Sequence, residues 1–173
     1  MSIKSCCAAI AVMSALAAPA AFADEVLPGS DGFTKWGQEG NWTVFVDKGR
    51  NSCLIERVDE NENVMQMGLT EDHTFGYVGV FTKADIGLKD GKEKIMLSLD
   101  GNLYEGELVK TKHLSDGYTG GYVISKNLEF LGDLEKKHEM VVMPKHENAF
   151  TVSLDGTHKA IEAAIKCNQE QAG

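Results

Sequence analysis

From Trp42 onward apolar and polar residues alternate. Trp42, Val44 and Val46 share one face and Thr43 and Phe45 the other, a period of two that predicts a strand. Lys48-Gly49-Arg50-Asn51 then supplies a turn, and Cys53 to Val58 and Val64 to Leu69 continue the meander around a second, polar turn, Asp59-Glu60-Asn61-Glu62-Asn63. Phe75 to Phe81 carries an apolar residue or a glycine at every position, the pattern of a central strand covered on both faces. Lys94 to Leu99 and Leu103 to Val109 flank Asp100-Gly101-Asn102 and predict a hairpin. A short strand, Tyr122 to Ile124, follows the glycine-rich segment Asp116 to Gly121, and Met140 to Met143 with Ala149 to Leu154 form a last hairpin.

Helical spacing enters at two places. Leu128, Leu131 and Leu134 predict a helix near 126–137, capped by Ser125 and closed by Lys136-Lys137. Ala160, Ile161, Ala164 and Ile165 predict a C-terminal helix near 157–166, capped by Asp155 or Thr157. About nine strands with two helices predict a β-rich α+β fold of two packed antiparallel sheets, sandwich-like, with the helices at an edge.

The N-terminal stretch follows a different logic. Lys4 precedes an apolar run, Ile10 to Ala18, that is too short to span a bilayer, and Ala21-Phe22-Ala23 is a small-x-small cleavage site. Residues 1–23 therefore predict an export signal and a periplasmic or secreted mature chain. A leader segment at 24–41, punctuated by Pro28-Gly29 and Trp36-Gly37, then precedes one domain at 42–167 and a tail at 168–173.

Export changes how the charges and cysteines are read. Residues 1–23 hold one of the 17 basic residues and none of the 26 acidic ones, leaving 16 against 26, a charge of −10. That sign disfavours nucleic acid, which selects clustered lysine and arginine, and no basic amphipathic helix is present for an anionic membrane. Cys6 and Cys7 leave with the signal; Cys53 and Cys167 remain. In an oxidising compartment an isolated, distant pair predicts a structural disulfide, since redox and zinc sites favour close CxxC spacing.

With Trp42-Thr43-Val44-Phe45-Val46-Asp47 opening the domain, Cys53 soon after, Leu154-Asp155-Gly156-Thr157-His158-Lys159-Ala160 near its end and Cys167 closing it, the chain resembles uncharacterised secreted proteins of alphaproteobacteria. In layout it is similar to the invasion-associated locus B family, departing from that pattern where Val46-Asp47 replaces an expected cysteine. The resemblance spans about residues 36–167. It implies a periplasmic or secreted β-rich domain without known catalytic residues, associated with the envelope or with host contact.

Candidate chemistry is sparse. His73, His113, His138, His146 and His158 show no HxH, HxxxH or HExxH spacing. Met65 and Met67 offer thioethers to Cu(I), but on a strand they share the face of Leu69, as core residues do. The turn at 59–63 lacks the glycine and the bidentate glutamate of a calcium loop. GxSxG and SxxK are absent. Glu105 and Glu107 lie on one strand face as a carboxylate pair, with no apolar pocket in the pattern to raise one pKa. The glycine-rich loop 116–121 with Tyr118 and Tyr122 has the composition of a contact surface, and equally of a plain β-connection. Together these readings predict no cofactor, metal or catalytic residue, and a non-catalytic interaction module whose partner is a protein or envelope component. The alternatives are an envelope hydrolase with an unrecognised carboxylate site and a periplasmic metal-handling protein.

Overall fold

Ten strands and two helices form in the computed structural model, which describes residues 32–70, 74–112, 114 and 117–172. The expected export signal lies outside the described residues, as do His73, His113, Ser115 and Asp116. The strands are β1 (Phe33–Glu39), β2 (Trp42–Asp47), β3 (Ser52–Val58), β4 (Val64–Leu69), β5 (Gly76–Thr82), β6 (Lys92–Leu99), β7 (Asn102–Lys110), β8 (Thr119–Ser125), β9 (Glu139–Val142) and β10 (Phe150–Ser153). Helix α1 (Leu128–Lys136) separates β8 from β9, and α2 (Thr157–Gln171) ends the fold.

These strands make one antiparallel sheet in the order β1-β2-β3-β4-β5-β8-β7-β6-β9-β10, so the expectation of two packed sheets is corrected. The physical reason lies in β8, which pairs with β5 over Gly76–Thr82 and with β7 through Leu108↔Val123, Val109↔Tyr122 and Lys110↔Gly121. A Cβ at Gly121 would strike the Val109 carbonyl oxygen and come within 2.7 Å of Leu108 Cδ2. Its absence lets the ladder run from one half of the strands into the other. The single sheet then curls, so that the indole Nε1–H of Trp42 in β2 donates to the Asp155 carbonyl just beyond β10, at 3.0 Å. Val44, Ile55 and Val80 thereby share one core with Leu97, Leu108, Val142 and Val152.

Residues 33–39, grouped by sequence with the leader, form β1. Glycine at position 37 obscures the alternation, and a register shift between Lys35 and Gly37 marks a bulge. Trp36 is held by its Nε1–H donating to Glu170 of α2 at 2.7 Å. The hairpin at Asp100-Gly101 turns with positive φ at both residues, 46° and 92°, the geometry that suits the twist of the flanking strands.

Both helices depart from their expected caps. At α1 the Asn127 side chain accepts from the backbone of Glu129 and Phe130, while Ser125 accepts from Asn127 N–H. At α2 Gly156 takes the cap position at φ 82° with no side-chain bond, and the helix continues to Gln171, beyond the expected 166. A disulfide joins Cys53 in β3 to Cys167 in α2, with Cα atoms 6.0 Å apart, closing 114 residues of sequence. A loop of that length stabilises the fold by about 4–5 kcal/mol in the chain-entropy account.

The seam generates a paired prediction. Gly121→Ala is expected to destabilise by about 3 kcal/mol or more, because backbone of a paired strand must move. Gly132→Ala, in α1 with nothing within 4 Å of the added methyl, is expected to stabilise by about 0.5–1 kcal/mol. Urea unfolding of both variants measures the difference in sign.

Candidate functional site

The apolar faces of the two helices meet the sheet without filling the space between them. Phe130 and Leu134 of α1 and Ala160 and Cys167 of α2 are buried, while Leu131 on one helix and Ile161, Ala164 and Ile165 on the other face each other above β3, β4 and β5. A crevice of about 280 Å³ remains, floored by Ile55, Met67 and Val78 and by the disulfide at Cys53. Its lining is overwhelmingly apolar, and Ile165 at the rim is 52% exposed.

Polar groups sit only at the borders. Asn168 is fixed at one end, its Oδ1 accepting from Cys53 N–H at 2.7 Å. Glu135 faces His158 Nδ1 at 3.4 Å, on the exposed side. With these groups committed, the crevice offers apolar contact and little else. That composition suits an apolar group as occupant.

The opposite face of the sheet holds the aromatic residues singled out in sequence. Tyr122 lies within β8, which begins at Thr119 and so takes in the end of the expected loop, and its ring packs edge-on against Tyr77 and Phe81, both at 5.3 Å. Room for that ring comes from Gly79, where a Cβ would lie 2.7 Å from Tyr122 Cε1. Tyr118 joins Tyr122 and Leu114 around buried Val64 and Phe81, and Lys83 Nζ stands 5.2 Å from the Tyr118 ring centre. The structure thus brings Tyr118 and Tyr122 together as cover for a second, small core.

A line of polar groups runs beneath this cover. Tyr122 O–H donates to Gln66 Oε1 at 2.8 Å, and Gln66 Nε2 donates to Glu56 Oε2 at 2.6 Å. Burial pushes the Tyr122 phenol up to about 12. Burial also raises the Glu56 carboxyl, against the opposing bond from Gln66. Sequence reasoning missed Glu56, Gln66 and Tyr77; the available signal was glycine paired across the strands with tyrosine, Gly79↔Tyr122.

The remaining candidates fall elsewhere. Met65 and Met67 both belong to the core. Glu105 and Glu107 are solvent-facing and paired with Lys94 and Lys92, at 2.7 and 2.9 Å. Asp59 Oδ1 accepts from Asn61 and Asn63 N–H, both at 2.8 Å, so this carboxylate shapes its own turn. Among the described residues no group of three or more His, Cys, Asp or Glu is arranged to hold a metal, and no helix is long and apolar enough to cross a membrane.

Glu56 gives a pH prediction. A folded pKa raised above the unfolded value means that the protonated form favours folding, and this contribution is lost as pH rises through the folded pKa. Glu56→Gln keeps an acceptor for Gln66 without the charge. It is expected to raise the urea midpoint near neutral pH, with the gain shrinking as pH falls through the raised folded pKa and gone below about 4.3, the ordinary carboxylate value of the unfolded chain. No family model, curated protein or solved structure matches this chain.

Proposed function

We propose that the chain is an exported, non-catalytic binding module that holds an apolar group of an envelope component in the crevice between α1, α2 and the sheet. The observation that carries this reading is the apolar lining of that crevice, open at Ile165 and bordered by Asn168 and Glu135, which are engaged with Cys53 N–H and His158. The export signal read in residues 1–23 and the Cys53–Cys167 disulfide both suit an oxidising compartment. The likeness in layout to secreted alphaproteobacterial domains and the invasion-associated locus B family agrees with a role at the envelope or in host contact.

Size narrows the occupant. Pockets for whole small molecules run from about 300 to 1,000 Å³, so this crevice takes a short acyl segment or a single ring system. Burying four to six methylenes at about 0.8 kcal/mol each gives roughly 3–5 kcal/mol, an affinity in the millimolar to high-micromolar range.

Titration of the oxidised, exported protein with N-phenyl-1-naphthylamine tests the reading. Saturable fluorescence enhancement displaced by dodecanoate is expected. Ala164→Phe, which fills the crevice, and Ile165→Asp, at its exposed rim, are each expected to weaken binding by at least about tenfold. Enhancement that never saturates, or that both variants leave unchanged, contradicts it.

A further inference from the structure

We propose that the free edge of β10 takes an extended, cationic peptide segment as an added strand. The phase of the β9–β10 ladder shows which backbone groups are free. Leu154 N–H donates to His138 carbonyl at 2.7 Å, and the register continues through Val152↔Met140 and Phe150↔Val142. In an antiparallel pair the bonded positions alternate, so Phe150, Val152 and Leu154 bond inward to β9 while the N–H and C=O of Thr151 and Ser153 point off the sheet. Glu139 shows the same phase from the other side, since its carbonyl accepts from Asp100 N–H across to β6.

The residues that carry those groups line a broad cleft. Thr151 and Ser153 line a depression of about 820 Å³ whose far wall is the β1–β2 turn, at Gln38 and Asn41, and the end of β3. The two walls are fixed relative to each other, because Trp42 and Arg57 both donate to the Asp155 carbonyl, at 3.0 and 3.1 Å.

The two ends of the sheet are treated differently. β1 carries Lys35 and Glu39, has a bulge, and is tied to α2 through Trp36, the devices that keep an edge from pairing. β10 reads Phe-Thr-Val-Ser, with no charge, proline or bulge. Its brevity limits the guest to a short segment: four residues extend about 14 Å.

Charge selects the guest. Asp59, Glu60, Asp100, Glu139 and Asp155 line the cleft with Arg57 and His138. Five carboxylates against one guanidinium attract a lysine- or arginine-bearing strand and repel an acidic one. Main-chain bonds to Thr151 and Ser153 supply the register, as in other strand additions.

The test uses fluorescein-labelled hexapeptides and the oxidised, exported protein. Alternating lysine and valine is expected to bind saturably; the glutamate–valine peptide, and a lysine–valine peptide N-methylated at alternate residues on its pairing edge, are each expected to bind at least about tenfold more weakly. Thr151→Pro removes an outward N–H without touching the β9 ladder and is expected to weaken binding by a similar factor. Independently of any variant, amide NMR shifts on titration are expected at Thr151 and Ser153. Equal binding of the N-methylated peptide indicates charge attraction alone and overturns the proposal, as does no binding at about 1 mM. A dimer in sedimentation that Thr151→Pro dissociates assigns the edge to a second copy and also overturns it.

Discussion

Cys167 reaches Cys53 only when α2 lies across β1, β2 and β3, and that placement decides which parts of the curled sheet are covered. The cross-link does not act alone: Asn168 accepts from Cys53 N–H, Glu170 accepts from Trp36, and the Asp155 carbonyl at the head of the helix receives Trp42 and Arg57. Because β10 runs directly into α2, fixing the helix also holds β10 opposite the β1–β2 turn. The crevice arises from the same geometry. α2 seats itself on β2 and β3 while α1 is tied to β7 through Asp133, which accepts from Asn102 and Tyr104, and the two helices leave a gap over β4 and β5.

The outer face of β4 and β5 around Val64 and Phe81 is covered for a different reason. Tyr77 and Tyr122 cover positions where neighbouring glycines leave no side chain, and the polar line from Tyr122 through Gln66 to Glu56 is bonded internally. Arg50 contributes from the β2–β3 turn, anchored to buried Asp47 and standing 5.7 Å from the centre of the Tyr77 ring. A strand buried on both sides reads as continuous apolar sequence, which is how β5 reads. The aromatic side chains that suggested a contact loop, Tyr118 and Tyr122, pack over Val64 and Phe81, and the apolar crevice lies on the helix side.

Local structure was legible wherever one periodicity dominated. Val64–Leu69 and the hairpin around Asp100-Gly101 follow directly from alternation and turn chemistry, and the Cys53–Cys167 pairing was expected from compartment and spacing. Sheet connectivity was not legible, because it depends on a missing side chain. Gly120-Gly121 reads as a loop signal in sequence, yet in β8 it permits approach of β5 on one side and β7 on the other. β1 was hidden by Gly37 within its bulge, and the cap of α2 by the use of backbone in place of a side chain at Gly156. The crevice was beyond sequence altogether, since Leu131 and Ile165 look like ordinary helix-face residues until the angle between two helices is known.

Segment-resolved hydrogen exchange on the oxidised and the reduced protein tests most directly whether the pinned helix creates these surfaces. The account predicts that reduction accelerates exchange across α2 and in the crevice-facing turn of α1, while β4, β5 and β8 keep their protection. Equal exchange of α2 in the two states would contradict it, because the helix would then hold its place without the bond that is here made responsible for it.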